Sequence, residues 1–435
     1  MSVRLRLPCA ILAAAAVASC SAPNDSPGPT TVAGASGYAG SLPGAGGKAG
    51  GGAAGSGGTG GSPSAGASGI GGTLGSEGGT TSGGRAGSAT SGATSGGATS
   101  GGSAGASGGP SSGGGGSGGS GDDDRCGIAN YSTASPPQLL ALKGNLGTHD
   151  PMVLGADDRF YLFSTGNDIG AKTSNDLVTW QAAPDVFSSS KRPAWLAQQV
   201  PGVSNLWAPD ASFFGGAYHL YYSASTFGKN RSCIGHLSRS SLSSGSWTDR
   251  GQVICSNVST TDDFNAIDPN AIVDTDGTPW LAFGSFWSGI KLIKLTLEGE
   301  RDGTSLEALA SRPSSGGALE APFLVRRCGY YYLFMSWDTC CKGADSTYNI
   351  RVGRAKTLHE GFVDRDGKAL LQGGGTLVLE GGTRYRGPGH NAVLFTADRA
   401  YNVYHAYDAD NNGASVLRIS ELAWDAEGWP ISAGP

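Results

Sequence analysis

Five polar residues stand at the head of short apolar runs: Asp150, Asp210, Asp268, Glu320 and His390. Each run is followed by a turn and then by an aromatic-rich run, as in 160–164, 218–223, 280–283, 330–335 and 401–407. Taken singly, an Asp-Pro or a Glu-Ala-Pro is an ordinary turn start. Gathered in one place, three carboxylates suit the hydrolysis of a glycosidic bond. One takes a proton from water, one protonates the leaving oxygen, and a space between them admits the water that attacks with inversion. A third carboxylate raises the acid's pKa by like-charge repulsion. Buried carboxylates are costly to bring together without a task or a cation, so their recurrence at matching places favours chemistry over turns.

The elements that would gather them follow from the spacing. The lead residues recur at steps of 60, 58, 52 and 70 residues. Residues 145–435 carry period-2, β-branched and aromatic strand signals with turn punctuation and almost no helical periodicity. A repeat of several strands every ~50–60 residues predicts an all-β, five-bladed β-propeller. The first strand of each blade would line the axis, so the five lead residues should meet at one end of it. A β-sandwich of many strands is the alternative, disfavoured by the regular spacing. Asp210 is expected to be structural. The stretch Asp274-Thr275-Asp276-Gly277-Thr278 starts like a calcium loop but lacks the length and closing Glu, and predicts a hairpin turn.

These segments resemble a known family. Thr148-His149-Asp150-Pro151, Trp207-Ala208-Pro209-Asp210, Asn265-Ala266-Ile267-Asp268-Pro269, Glu320-Ala321-Pro322-Phe323 and Gly387-Pro388-Gly389-His390-Asn391 together are similar to motifs of the endo-1,5-α-L-arabinanases of glycoside hydrolase family 43. So are the run from Phe283 to Ile290 and Cys340-Cys341-Lys342-Gly343. The resemblance covers about residues 140–430. It implies a five-bladed propeller and inverting hydrolysis of internal α-1,5 links in arabinan. An exo-acting arabinofuranosidase or xylosidase is the alternative within the family. A non-catalytic carbohydrate-binding propeller would need a missing carboxylate. Position by position, the resemblance makes Asp150 the general base, Glu320 the general acid and Asp268 the carboxylate that tunes and orients the acid. His390 matches a histidine beside a central cation, usually calcium. Because calcium prefers oxygen, most of its shell would be water. Trp207, Phe227 and Trp287 fall in matching segments. They are expected to stack on sugar rings, whose C–H faces are apolar.

Composition divides the rest. Of 435 residues 75 are glycine, and 40 of these lie in 28–121 with a single aromatic, Tyr38. That stretch cannot build a core. The segment 20–122 reads as a flexible Gly/Ser-rich linker, about 55 Å end to end at ~5–6 Å × √n. Arg4, Arg6 and an apolar run from 7 to 18, ending in Val17-Ala18-Ser19-Cys20, read as a signal peptide over 1–19 of lipoprotein type. A lipidated Cys20 would tether the chain to the bacterial envelope, and ordinary secretion is the alternative. Residues 123–144 form a lead-in and 145–435 the catalytic domain. The formal net charge of −5 argues against nucleic acid and fits a neutral polysaccharide. A monomer is expected, touching the membrane only through the anchor. Beyond Cys9 and Cys20, six cysteines would meet an oxidising compartment, with Cys233–Cys255 the first pairing to expect. Cys340 and Cys341 could bridge each other or other cysteines. Zinc is unexpected, since no CxxC pair is present.

Overall fold

The computed structural model describes residues 125–187, 191–257 and 263–435. The signal peptide, Cys20 and the linker lie outside the described residues. Five antiparallel four-stranded sheets follow one another along the chain. Blade one comprises Met152–Ala156, Arg159–Ser164, Gly170–Ser174 and Thr179–Ala183; blade two Leu206–Phe214, Ala217–Ala224, Ser232–Arg239 and Thr248–Ser256. Blade three comprises Asn270–Val273, Pro279–Phe283, Ile290–Lys294 and Glu307–Ala310. Blade four comprises Leu319–Arg327, Tyr330–Trp337, Asn349–Ala355 and Thr376–Leu379; blade five Tyr385–Phe395, Ala400–Asp408, Ala414–Trp424 and Pro430–Ser432. The first strand of each blade touches the first strand of the next, and that of blade five touches that of blade one. The fold is the expected five-bladed propeller.

The sequence explains the radial order. An inner strand has neighbours on both faces, so it reads as a near-continuous apolar run, and Met-Val-Leu-Gly-Ala of blade one is buried throughout. The outer strand Thr-Trp-Gln-Ala-Ala buries Trp180 and exposes its flanks. The fully buried Tyr222, Tyr332, Tyr404, Phe283 and Phe334 come from the aromatic-rich second strands and fill the space between blades. The Asp274–Thr278 segment is the hairpin turn expected, closed by Asp274 N–H to Thr278 O at 2.8 Å, with Gly277 at φ 86°.

The lead-in closes the ring. Tyr131 and Leu140 donate backbone hydrogen bonds to Trp424 and Ile419 of blade five, and Thr148, just past the lead-in, donates to Ser415. Lys143 and Asn145 donate to Val178 and Trp180 of blade one, where Lys143–Gly144 adds a parallel edge strand. The lead-in therefore hydrogen-bonds to both sides of the seam between the last blade and the first. Cys126–Cys328 fastens it to the first hairpin of blade four across 202 residues, worth about 5 kcal/mol in the chain-entropy account. Cys233–Cys255 joins directly paired residues of blade two, as expected. Cys340 and Cys341 bridge each other.

Asp210 departs from the convergence expected of the five lead residues. The first strand of blade two carries a register shift between Trp207 and Asp210, and it is Ala208, at φ 45°, that turns where Asp150 and Asp268 turn. Asp210 lies two residues further along. Its buried carboxylate accepts from Asn270 Nδ2 at 3.0 Å and Ala271 N–H at 2.9 Å, joining blades two and three. Asp210→Ala would leave both donors buried without a partner, at about 1–3 kcal/mol each. The expected loss of stability is about 2–6 kcal/mol in denaturant unfolding. An unchanged midpoint would show that these bonds contribute nothing.

Candidate active site

One residue per blade sits in the left-handed region at the entrance to the inner strand: Asp150 (φ 50°), Ala208 (45°), Asp268 (58°), Ala321 (56°) and His390 (48°). Such a φ is uncommon outside glycine and costs ~1–3 kcal/mol unless the surroundings impose it. Here a group of the preceding blade holds it in every case. The Ala208 N–H donates to Thr165 Oγ1 (2.8 Å), Asp268 N–H to Ser223 Oγ (2.8 Å), His390 N–H to Ser336 Oγ (2.8 Å) and Asp150 N–H to His405 Nδ1 (3.1 Å). In blade four the Ala321 N–H donates instead to the Asp268 carboxylate at 3.1 Å. A ring of turned backbones joins each blade to the next and re-aims the side chains that the sequence singles out.

Asp150 is the most heavily partnered of these side chains. Its Oδ2 accepts from Thr165 Oγ1 at 2.5 Å and lies 2.9 Å from His149 Nδ1. Its Oδ1 lies 3.2 Å from His390 Nδ1 and 3.6 Å from His405 Nδ1. Three of the six histidines in the chain therefore surround one carboxylate. Burial opposes its charge, but the fields of His149 and His390 prevail and hold Asp150 well below the usual carboxylate range. Because His405 Nδ1 accepts the Asp150 N–H, its proton sits on Nε2, an atom buried without a hydrogen-bond partner. Burial keeps His405 neutral, well below the ordinary imidazole value.

Glu320 lies one residue before the turned Ala321, beside a register shift in its strand. Ser285 Oγ donates to its Oε2 at 2.7 Å, and the Tyr348 hydroxyl donates to Oε1. Burial, reinforced by the charge of Asp150 and outweighing the Ser285 hydrogen bond, raises Glu320 to about 7. Asp268 is raised as well, first by burial and then by the charges of Glu320 and Asp150. The three carboxylates thus share one field, with Asp150 ionised and the Asp268–Glu320 pair inclined to keep a proton.

Trp207 is half-buried one residue before Ala208, the place that Glu320 and His149 occupy in their own blades. Phe227 and Trp287 are 78% and 45% exposed. They lie in the loops after the second strands of blades two and three, at the end of the fold that carries the carboxylates. Sequence reasoning did not single out Thr165, Ser285, Tyr348, His405 or Tyr407, and it gave His149 no role although it precedes Asp150. Of these, His149 lies in the Thr148–Pro151 motif and Ser285 in the Phe283–Ile290 run, so both carried a local signal.

For a cation, the donors nearest one another are His149, Asp150 and His405, whose ligand atoms lie within 4.8 Å. His390 adjoins them through Asp150. Three imidazoles and one carboxylate make no calcium cage, because that ion takes six to eight oxygens. Any calcium held at His390 would need water for most of its shell.

The sequence pattern of the family described as glycosyl hydrolases family 43 matches residues 144–430. The extracellular endo-α-(1→5)-L-arabinanase 1 of Bacillus subtilis is 43% identical over 305 residues, covering 68% of this chain and 92% of that protein. The extracellular exo-α-(1→5)-L-arabinofuranosidase ArbA of Cellvibrio japonicus is 41% identical over 298 residues, 65% of this chain and 85% of its own length. The solved structure of a family 43 endo-arabinanase from Bacillus licheniformis superposes with a TM-score of 0.64 at 46% identity, over 67% of this chain and 99% of that one.

Proposed function

Since the chain belongs to glycosyl hydrolase family 43, we propose that its axial site cleaves internal α-1,5-linked L-arabinofuranosyl bonds of arabinan with inversion. The observation that carries this reading is the opposite displacement of two carboxylates in one buried cluster. Asp150 is held ionised by its histidines, and Glu320 is held protonated by burial and by the charge of Asp150. An ionised carboxylate accepts a proton from water, and a carboxylic acid poised near neutrality gives one to the leaving oxygen.

Asp150 is the base that takes the proton as water attacks the anomeric carbon. Glu320 protonates the departing glycosidic oxygen, and the single displacement inverts the centre. Asp268 shares the buried field of the acid and fixes the turn immediately after it by accepting from the Ala321 N–H. Trp207, Phe227 and Trp287 offer faces for successive sugar rings. His390, with water filling the rest of the shell, would hold a calcium ion, which would supply a positive charge near the carboxylates. The enzyme works outside the cell as a monomer, tethered by a lipidated Cys20 through its glycine-rich linker.

Product analysis on linear arabinan tests the reading. Short oligosaccharides should appear first, with an early fall in viscosity, and a chelator should lower both rate and melting temperature until calcium is restored. Release of arabinose alone would establish the exo-acting alternative, which the 41% identical exo-enzyme keeps in view. Indifference to chelator would remove calcium from the reading.

A further inference from the structure

The loop 338–348 of blade four touches both halves of the site. At its far end the Tyr348 hydroxyl donates to Glu320. Near its start the Cys341 N–H donates to Tyr407 Oη at 2.8 Å. The same oxygen lies 2.9 Å from His149 Nε2, and His149 Nδ1 is 2.9 Å from Asp150 Oδ2. A continuous chain therefore runs from the Cys341 amide through Tyr407 and His149 to the base. Tyr407 is buried, His149 and Cys340 are half-buried and Cys341 is exposed.

The loop is held in a definite shape. Asp338 and Cys341 have φ values of 70° and 66°, a conformation that side-chain-bearing residues keep only when the surroundings enforce it. Asp338 is gripped by Arg312 Nη1 (2.5 Å) and Asn349 Nδ2 (2.8 Å), and Ser346 Oγ accepts the Lys342 N–H at 3.0 Å. Gly343 lies against Gly413 of blade five so closely that a Cβ on Gly413 would meet Ala344 N at 2.5 Å. The Cys340–Cys341 bond closes a small ring through the intervening peptide. That ring removes the torsional freedom with which the Cys341 N–H could turn away from Tyr407.

We propose that the Cys340–Cys341 ring, Tyr407 and His149 form a positioning device for Asp150, distinct from the bridges that stabilise the fold. The inference rests on Asp150 being the base of the reading above. A catalytic group displaced by about 1 Å can cost on the order of 100-fold in rate, whereas binding of arabinan to the faces of Trp207, Phe227 and Trp287 does not pass through this chain. The effect belongs in kcat and not in KM.

The test compares three variants with the wild-type chain on linear arabinan. Tyr407→Phe and Cys340→Ala/Cys341→Ala should each lower kcat by about 10- to 100-fold with KM within about twofold. Cys126→Ser/Cys328→Ser should lower the melting temperature and leave kcat unchanged. Tris(2-carboxyethyl)phosphine adds a second readout. It gives two electrons to the S–S bond and becomes the phosphine oxide with oxygen from water, while the two sulfurs take up protons. The wild type should lose rate in the phosphine and regain it on reoxidation, and the Cys340→Ala/Cys341→Ala variant should not respond. Wild-type kcat in the Tyr407 and Cys340/Cys341 variants, a loss confined to melting temperature, or a full phosphine response without Cys340 and Cys341 would each overturn the proposal. A wild-type chain inert on arabinan would overturn the functional reading and this inference with it, so the two failures are told apart.

Discussion

Glu320→Gln lowers kcat on linear arabinan by about 10³-fold, within the ~10²–10⁴-fold that a positioned general acid supplies, and leaves the circular dichroism spectrum unchanged. The amide keeps the shape and can accept from Ser285, so the loss reads the missing proton and not a collapsed site. The leaving group tells acid from scaffold. An aryl arabinofuranoside whose phenol is already a good leaving group needs little protonation, so Glu320→Gln should recover most of its deficit on that substrate. The pH profile follows from the same carboxyl. Glu320 is active when protonated and is raised to about 7, chiefly by burial. The wild-type rate should therefore hold below neutrality and fall as pH rises through about 7. In Glu320→Gln, assayed on the aryl substrate, that alkaline limb should be absent. Near-wild-type activity of Glu320→Gln on arabinan would remove Glu320 from the acid role.

Asp150→Asn has an expected effect as large, with the opposite substrate dependence. The base acts on water, and water is the nucleophile whatever leaves, so kcat should fall by about 10³-fold on arabinan and on the aryl arabinofuranoside alike. The fold should persist, because the Asp150 N–H bond to His405 and the turned backbone do not depend on the charge. Recovery of Asp150→Asn on the aryl substrate, together with a persistent deficit of Glu320→Gln, would exchange the two roles. The same pair of assays thus assigns both carboxylates.

The geometry behind these predictions was only partly open to sequence reasoning. The lead residues Asp150, Asp268 and Glu320 were legible because each stands at a chain position that repeats with the blade. Asp210 shares the pattern yet lies two residues beyond the turn, and no feature of the sequence distinguishes Trp-Ala-Pro-Asp from a run in which the Asp itself turns. The difference is the left-handed conformation of Ala208, which Thr165 of the preceding blade holds in place. The partners of the carboxylates were hidden for the same reason. Tyr348 reaches Glu320 from 28 residues away, and His405 reaches Asp150 from 255. Tyr348 stands outside the repeat, and His405 sits unmarked within the aromatic-rich run 401–407, at the place that Thr165, Ser223 and Ser336 take in other blades.

By itself the sequence determined the material of this protein: a glycine-rich segment with almost no aromatics, followed by a β-rich domain with five lead residues at blade spacing. Periodicity and composition are local properties, and this chain buries its inner strands by closing them around an axis. The tertiary structure decided what the site is. It set which lead residues converge, made Asp150 the carboxylate with three imidazoles, and gave Glu320 its burial and its tyrosine. It also made the lead-in the closure of the ring and tied the Cys340–Cys341 ring to His149 through Tyr407. Those outcomes depend on bonds between blades, and on backbone turns that only neighbouring blades can enforce, so they exist only once the ring is closed.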